Sequence, residues 1–170
     1  MQIIGLIGEP AAGKSTVMRN FLKTLRGEGT VTKEGLVVYT TFDESKVIVA
    51  GIYDEAVFSG TDRTAKSCGP KFREWLAAKV ADPEYADWKF YWEGERFSNS
   101  KFFDFFLTLP VQPVTYYLEA DEATLNERNA NRSNQNPTWR KGMATRMRNL
   151  REGYPVVVVQ QGFELKLCYS

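Results

Sequence analysis

The run GEPAAGKST, Gly8 to Thr16, follows the apolar opening MQIIGLI and has the residue types and spacing to grip a phosphate. Gly8-Glu9-Pro10-Ala11-Ala12-Gly13-Lys14-Ser15 fits G-x-x-x-x-G-K-[ST]. The glycines let successive backbone N–H groups turn inward around an anion. The Lys14 ammonium reaches β- and γ-phosphates, and the Ser15 hydroxyl is offered to Mg2+. A helix opening at Gly13 aims its positive end at the same anion. Gly8, Ala11, Ala12, Gly13, Lys14, Ser15 and Thr16 are therefore the expected nucleotide-holding residues, with ATP and Mg2+ as the expected cofactors. A chance glycine–lysine turn would need neither a strand before it nor a helix after it, and the sequence supplies both.

Two further stretches offer carboxylates. WKFYWEGERF, Trp88 to Phe97, sets Glu93 at the C-terminal end of an apolar run. In open α/β sheets that edge faces the ligand crevice. Glu93 is thus a candidate to serve Mg2+ or to orient a substrate, Gly94 permits close backbone approach, and Arg96 is a candidate phosphate contact. The bland alternative, a solvated acid and base at a strand end, leaves the phosphate loop without the second acidic strand it calls for. FSGTDRTAKS, Phe58 to Ser67, carries Asp62 and Arg63. Asp62 can take a hydroxyl proton and Arg63 can hold an acceptor phosphate, with Asp43 (in TFDES) and Glu93 as rivals for the base. An ordinary surface turn has the same composition.

The cations gather late in the chain. Between Asn126 and Glu152 stand seven Lys/Arg against two acids, in a protein whose formal net charge is +1. Such a segment points to a local anionic partner. Within LEADEATLNERNANR, Arg128 and Arg132 lie four apart and project the same way from a helix. They are expected to neutralise a transferring phosphoryl group, where charge stabilisation dominates the chemistry. Arg140, Lys141, Arg146 and Arg148 extend the positive surface, as part of a lid over about residues 126–140 or as nucleic-acid contacts.

The elements that position these groups alternate. Ile3–Ile7 reads as a buried strand and Lys14–Arg26 as a helix closed by Gly27 and Gly29. Leu36–Thr40 and Val47–Ile52 read as strands, and Pro70 opens a helix. Trp88–Trp92 is a strand, followed by a phenylalanine-rich helix capped by Ser98 or Asn99. Val114–Leu118 is a strand, and Asp121 caps a helix through Asn129. SNQNP breaks the pattern before a helix running to about Arg151. Val156–Val159 and Phe163–Cys168 read as the last strands. The expectation is one α/β domain over residues 1–170, a three-layer fold with a mostly parallel sheet and a helical lid.

Composition narrows the chemistry. With no histidine, the chain cannot build a Ser-His-Asp triad, a Cys-His dyad or a histidine metal site. Cys68 and Cys168 are isolated and read as free thiols in a reducing, cytoplasmic compartment. No apolar run is long enough to span a membrane, and the N-terminus lacks the basic region of a signal peptide. Aromatic residues make up 14% of the chain, so they must serve the core, base stacking or both. Phe58, Trp75, Trp92, Phe97 and Trp139 are the candidate stackers.

Together the phosphate loop, the EGER strand end and the E-R-x-x-x-R pattern resemble the small P-loop kinases of the nucleoside and nucleotide kinase group. The stretch KVIVAGIYDEAVFSGTDR, followed by KFREWL, is similar to the phage-encoded 5-hydroxymethyluracil DNA kinases. That resemblance implies ATP-dependent phosphorylation of the 5-hydroxymethyl group of hydroxymethyluracil within DNA, a step in thymidine hypermodification, in the host cytoplasm. Such an enzyme must reach a base in DNA by extrusion from the stack. A free nucleoside or nucleotide kinase shares every motif. A nucleotide-dependent switch or ATPase would share only the phosphate loop.

Overall fold

The computed structural model describes residues 1–55, 59–132 and 136–167. Its strands are β1 (Gln2–Ile7), β2 (Thr30–Glu34), β3 (Val37–Phe42), β4 (Val47–Ala50), β5 (Lys89–Glu93), β6 (Val114–Leu118) and β7 (Val157–Val159). The helices are α1 (Lys14–Leu22), α2 (Gly69–Ala81), α3 (Ser100–Thr108), α4 (Glu122–Ala130) and α5 (Pro137–Gly153). They form one seven-stranded sheet in the order β2-β3-β4-β5-β1-β6-β7. β4, β5, β1, β6 and β7 pair in parallel, whereas β3 runs antiparallel to both β2 and β4. The expected mostly parallel sheet flanked by helices is what forms.

The period of two along the central strands divides the core. Ile3 and Ile7 of β1 and Phe90 and Trp92 of β5 face α2, α3 and α5. Leu6 and Tyr91 point the other way, onto Met18 and Phe21 of α1. The aromatic content is mostly spent here: Phe97 stacks on Phe102 at 4.1 Å, and Trp92 meets Phe103 and Phe106 at 6.0 and 5.6 Å. Trp75, Trp92 and Phe97 are buried and serve packing, while Trp139 is 39% exposed. Phe58 lies outside the described residues.

Local signals place the helix starts. Asn99, rather than Ser98, caps α3 by accepting from the Phe102 N–H at 3.0 Å, while the Ser98 hydroxyl donates to the Gly94 carbonyl at 2.7 Å. Asp121 and Asn136 cap α4 and α5 through the Thr124 and Thr138 N–H groups. Of the SNQNP break, Ser133 to Gln135 lie outside the described residues.

Two expectations are corrected and one element is added. Helix α1 ends at Leu22, because the next amides tighten to i−3 bonds, Thr24 N–H to Phe21 and Leu25 N–H to Leu22. TVTKE forms the edge strand β2, whose mostly exposed, polar residues hid it. Residues 163–167 form no strand; Leu165 is buried there, and the Tyr91 hydroxyl donates to the Lys166 carbonyl at 3.4 Å. Cys168 lies outside the described residues, and Cys68 is a buried free thiol. No helix among the described residues is long and apolar enough to cross a membrane.

After β4 the chain crosses itself closely. Gly51 has φ 83°, and a Cβ built on it would lie 1.8 Å from the Gly60 carbonyl oxygen. Ile52 and Gly60 form an isolated bridge at this crossing. Gly51→Ala combines a left-handed backbone with a backbone clash and is expected to cost about 2–4 kcal/mol. That lowers the melting temperature by roughly 5–15 °C for a chain of this size. Thermal unfolding followed by circular dichroism checks it; an unshifted midpoint would contradict the crossing.

Candidate active site

The loop between β1 and α1 turns on two left-handed residues, Ala11 at φ 70° and Gly13 at φ 102°. Such turns orient consecutive N–H groups toward one point, the geometry of an anion nest. Lys14 Nζ donates to the Gly8 and Glu9 carbonyls, each at 3.0 Å, so the ammonium spans the mouth of the loop. Desolvation in the loop holds the Lys14 pKa below the usual lysine value, against the raising effect of the Glu93 and Asp62 charges. Ala11 and Ala12 are buried in the loop wall and Thr16 is exposed beside Ser15.

β5 pairs with β1 so that Glu93 stands opposite Leu6, just before the loop. Glu93 is 2% exposed. Its Oε1 accepts from the Ser15 hydroxyl at 3.2 Å and from the Tyr53 hydroxyl at 2.9 Å. Burial pushes the Glu93 pKa up to about 7, although the Lys14 charge and the two hydroxyls pull it down. Tyr53 is itself raised well above the phenol range, first by burial and then by the Glu93 charge. Ser15 and Glu93 present hard oxygen donors side by side, a set that fits Mg2+, an ion held by one or two carboxylates together with substrate phosphates and water. Among the described residues no group of three or more His, Cys, Asp or Glu could hold a metal ion by itself.

Asp62 joins this cluster from the segment after β4. It sits in a 3-10 turn, Thr61–Arg63, and its Oδ1 accepts from the Glu95 N–H at 3.1 Å. Its charge is felt at Lys14, Tyr53 and Glu93. The turn lies tight on the β5 end: a Cβ on Gly94 would come 2.3 Å from the Thr61 hydroxyl oxygen. Arg63 pairs with Asp54 at 2.7 Å. Arg96 donates to the Thr64 carbonyl at 3.4 Å and lies 3.6 Å from Glu95, beside Asp62. Arg19 of α1 reaches the same loop through Ser59.

The two arginines expected on one helix part company: α4 ends at Ala130, so Arg128 lies on it and Arg132 stands beyond its C-terminal cap. Arg128 is half-buried against the back of the phosphate loop, donating to the Ala11 carbonyl at 3.0 Å and to Gln161 Oε1 at 3.0 Å. Gln161 in turn donates to the Ala12 carbonyl at 2.9 Å. Arg132 is exposed, and its positive charge acts on Lys14. Arg128 is thus bound to the loop backbone, while Arg132 acts on Lys14 only through its charge.

Asp43 is set apart from this group. It is exposed and follows Phe42, which pairs with Val47; Val47 pairs with Lys89, and Lys89 with Gln2. That is the N-terminal edge of the parallel strands, about 15 Å along them from the phosphate loop. The antiparallel direction of β3 is the reason: it carries its C-terminal end away from the crevice.

Tyr53, Glu95 and Gln161 are the participants that motif reading misses. Each follows a strand that ends at the loop edge, so the signal was strand direction rather than residue type. The residues of α5 divide as well. Arg146 lies 3.9 Å from Glu95, the residue whose N–H holds Asp62, and Arg151 binds Glu119 at 2.9 Å. Arg140, Lys141 and Arg148 line a separate cleft of about 650 Å3 against α4.

The search of curated proteins found no match. The family model P-loop Nucleotide Kinase3 matches residues 1–166, and the chain belongs to that family of P-loop nucleotide kinases, enzymes of ATP-dependent phosphoryl transfer.

Proposed function

We propose that the acceptor of this kinase is the 5-hydroxymethyl group of hydroxymethyluracil held in DNA. What supports the DNA acceptor is the resemblance of the segment that holds Asp62 to the 5-hydroxymethyluracil DNA kinases; there the Glu95 N–H fixes this carboxylate, whose charge acts on Lys14 and Glu93. A primary hydroxyl placed between Asp62 and the phosphate loop has its base on one side and its phosphorus on the other.

Lys14 and the loop amides hold the β- and γ-phosphates of ATP. Ser15 and Glu93 are the residues that would hold Mg2+, which when bound neutralises charge on the phosphates. Asp62 orients the hydroxyl and accepts its proton. The hydroxyl oxygen forms the new bond to the γ-phosphorus while the bond to the β–γ bridging oxygen breaks, and ADP leaves. The exposed Arg132 supplies positive charge that acts at Lys14, and Arg128 fixes the shape of the loop. Arg63 and Arg96 stand on the acceptor side, where a neighbouring phosphate would lie. Positioning and charge carry most of such a reaction, because its transition state is loose.

A free nucleotide acceptor uses the same groups, and the family's nucleotide kinase character favours it as the second reading. Product analysis separates the two. DNA containing hydroxymethyluracil is incubated with ATP and Mg2+, digested to nucleosides and analysed by mass spectrometry. A phosphomonoester on the hydroxymethyl carbon supports the DNA acceptor; unmodified DNA alongside phosphorylated free nucleotide would overturn it.

A further inference from the structure

We propose that the cleft between α4 and α5 is a track for the sugar–phosphate backbone of the nucleic acid, resting on the reading above that the acceptor lies in DNA. The cleft begins at Glu9 and Pro10 of the phosphate loop and continues between the two helices. Glu9, whose carbonyl accepts from Lys14 Nζ, is shared by the cleft wall and the phosphate loop, so the cleft borders that loop. Along its α5 wall stand Arg140, Lys141 and Arg148.

Their partners separate these cations from the others on the helix. Arg146 and Arg151 face carboxylates, Glu95 and Glu119. Arg140 is oriented by the Asn129 carbonyl at 3.1 Å. Lys141 and Arg148 are exposed, and among the described residues no carboxylate pairs with either. The acids on the cleft wall are Glu9, in the loop, and Glu122, at the start of α4. Unpaired cations on a wall cost little to leave in water and gain most from a polyanion, which releases counterions when it binds.

The spacing suits a repeating anion. Lys141 and Arg148 are seven residues apart, about 10 Å along the helix axis. A backbone presents a phosphate every ~3.4 Å of duplex axis on each strand, so the two cations meet phosphates a few nucleotides apart. A free nucleotide has its phosphates at one end and cannot reach both. The track thus explains how α5 holds nucleic acid on one flank while its Arg146 flank looks toward Asp62 through Glu95.

The test measures binding of a fluorescent 20-nucleotide single strand containing ordinary thymine, by anisotropy, without ATP, over a range of salt. The variant K141Q/R148Q is expected to bind about tenfold more weakly at low salt, and its slope of log affinity against log salt to flatten by about 1.4. The charge-keeping variant K141R/R148K retains both. K23Q/K33Q, which removes two exposed lysines from other elements, leaves the slope unchanged. Equal binding and slope for K141Q/R148Q and wild type would overturn the track, as would an equal loss in K23Q/K33Q or no binding by wild type. Since no hydroxymethyluracil and no ATP are present, this outcome is independent of the acceptor's identity, which fails or stands in the product analysis.

Discussion

Lys14→Ala is expected to cut phosphoryl transfer from ATP by about 10³-fold or more. The ammonium bridges the Gly8 and Glu9 carbonyls at the mouth of the loop and faces the Glu93 and Asp62 charges. It is the one fixed cation inside the loop, where negative charge shifts as the β–γ bond breaks. Alanine removes that charge and unties the two carbonyls, so the loss falls on the transition state as well as on ATP binding. Lys14→Arg is not expected to restore the rate, since a planar fork replaces a compact charge. Steady-state turnover, with circular dichroism to confirm the fold, measures the effect. Near-normal turnover in Lys14→Ala would contradict the assignment of the loop.

Asp62→Asn gives the second large effect, a fall in kcat of about 10²–10⁴ with the KM for ATP little changed. Asparagine keeps an oxygen for the Glu95 N–H, so the Thr61–Arg63 turn stays docked on the end of β5. What it loses is the ability to take a proton. The split between kcat and KM separates a base from a merely structural residue. An unchanged kcat would move the proton to Glu93, the other carboxylate of the cluster. Asp43→Asn, at the far edge of the sheet, should leave both constants within about twofold, as surface changes away from a site usually do.

How much of this could be read in advance depended on whether a signal was local. The phosphate loop, a cap at Ser98 or Asn99, the cap at Asp121 and the acid at the end of β5 follow from residues close in sequence; the structure chooses Asn99, keeps Asp121 and sets Glu93 on Ser15. Asp43 resembled Glu93 in sequence, an acid after an apolar run. Only the pairing of β3 with β4 shows that its strand runs the other way. Tyr53 lies in a segment with no strong motif, and its contact with Glu93 depends on β4 and β5 being parallel neighbours. The positive charge of residues 126–152 was countable from sequence. Its division among Glu95, Glu119 and the α4 cleft was not, because it depends on the tertiary placement of Glu95 and Glu119 and on how α4 and α5 pack together.

The measurement that bears most directly on the central claim follows the γ-phosphate of labelled ATP, with Mg2+, into four acceptors offered separately. These are an oligonucleotide containing hydroxymethyluracil, its thymine twin, the free hydroxymethyl nucleoside and its monophosphate. The account predicts label on the modified oligonucleotide alone, and none with Lys14→Ala. Label confined to a free compound, or steady ATP hydrolysis with no labelled acceptor, would contradict it.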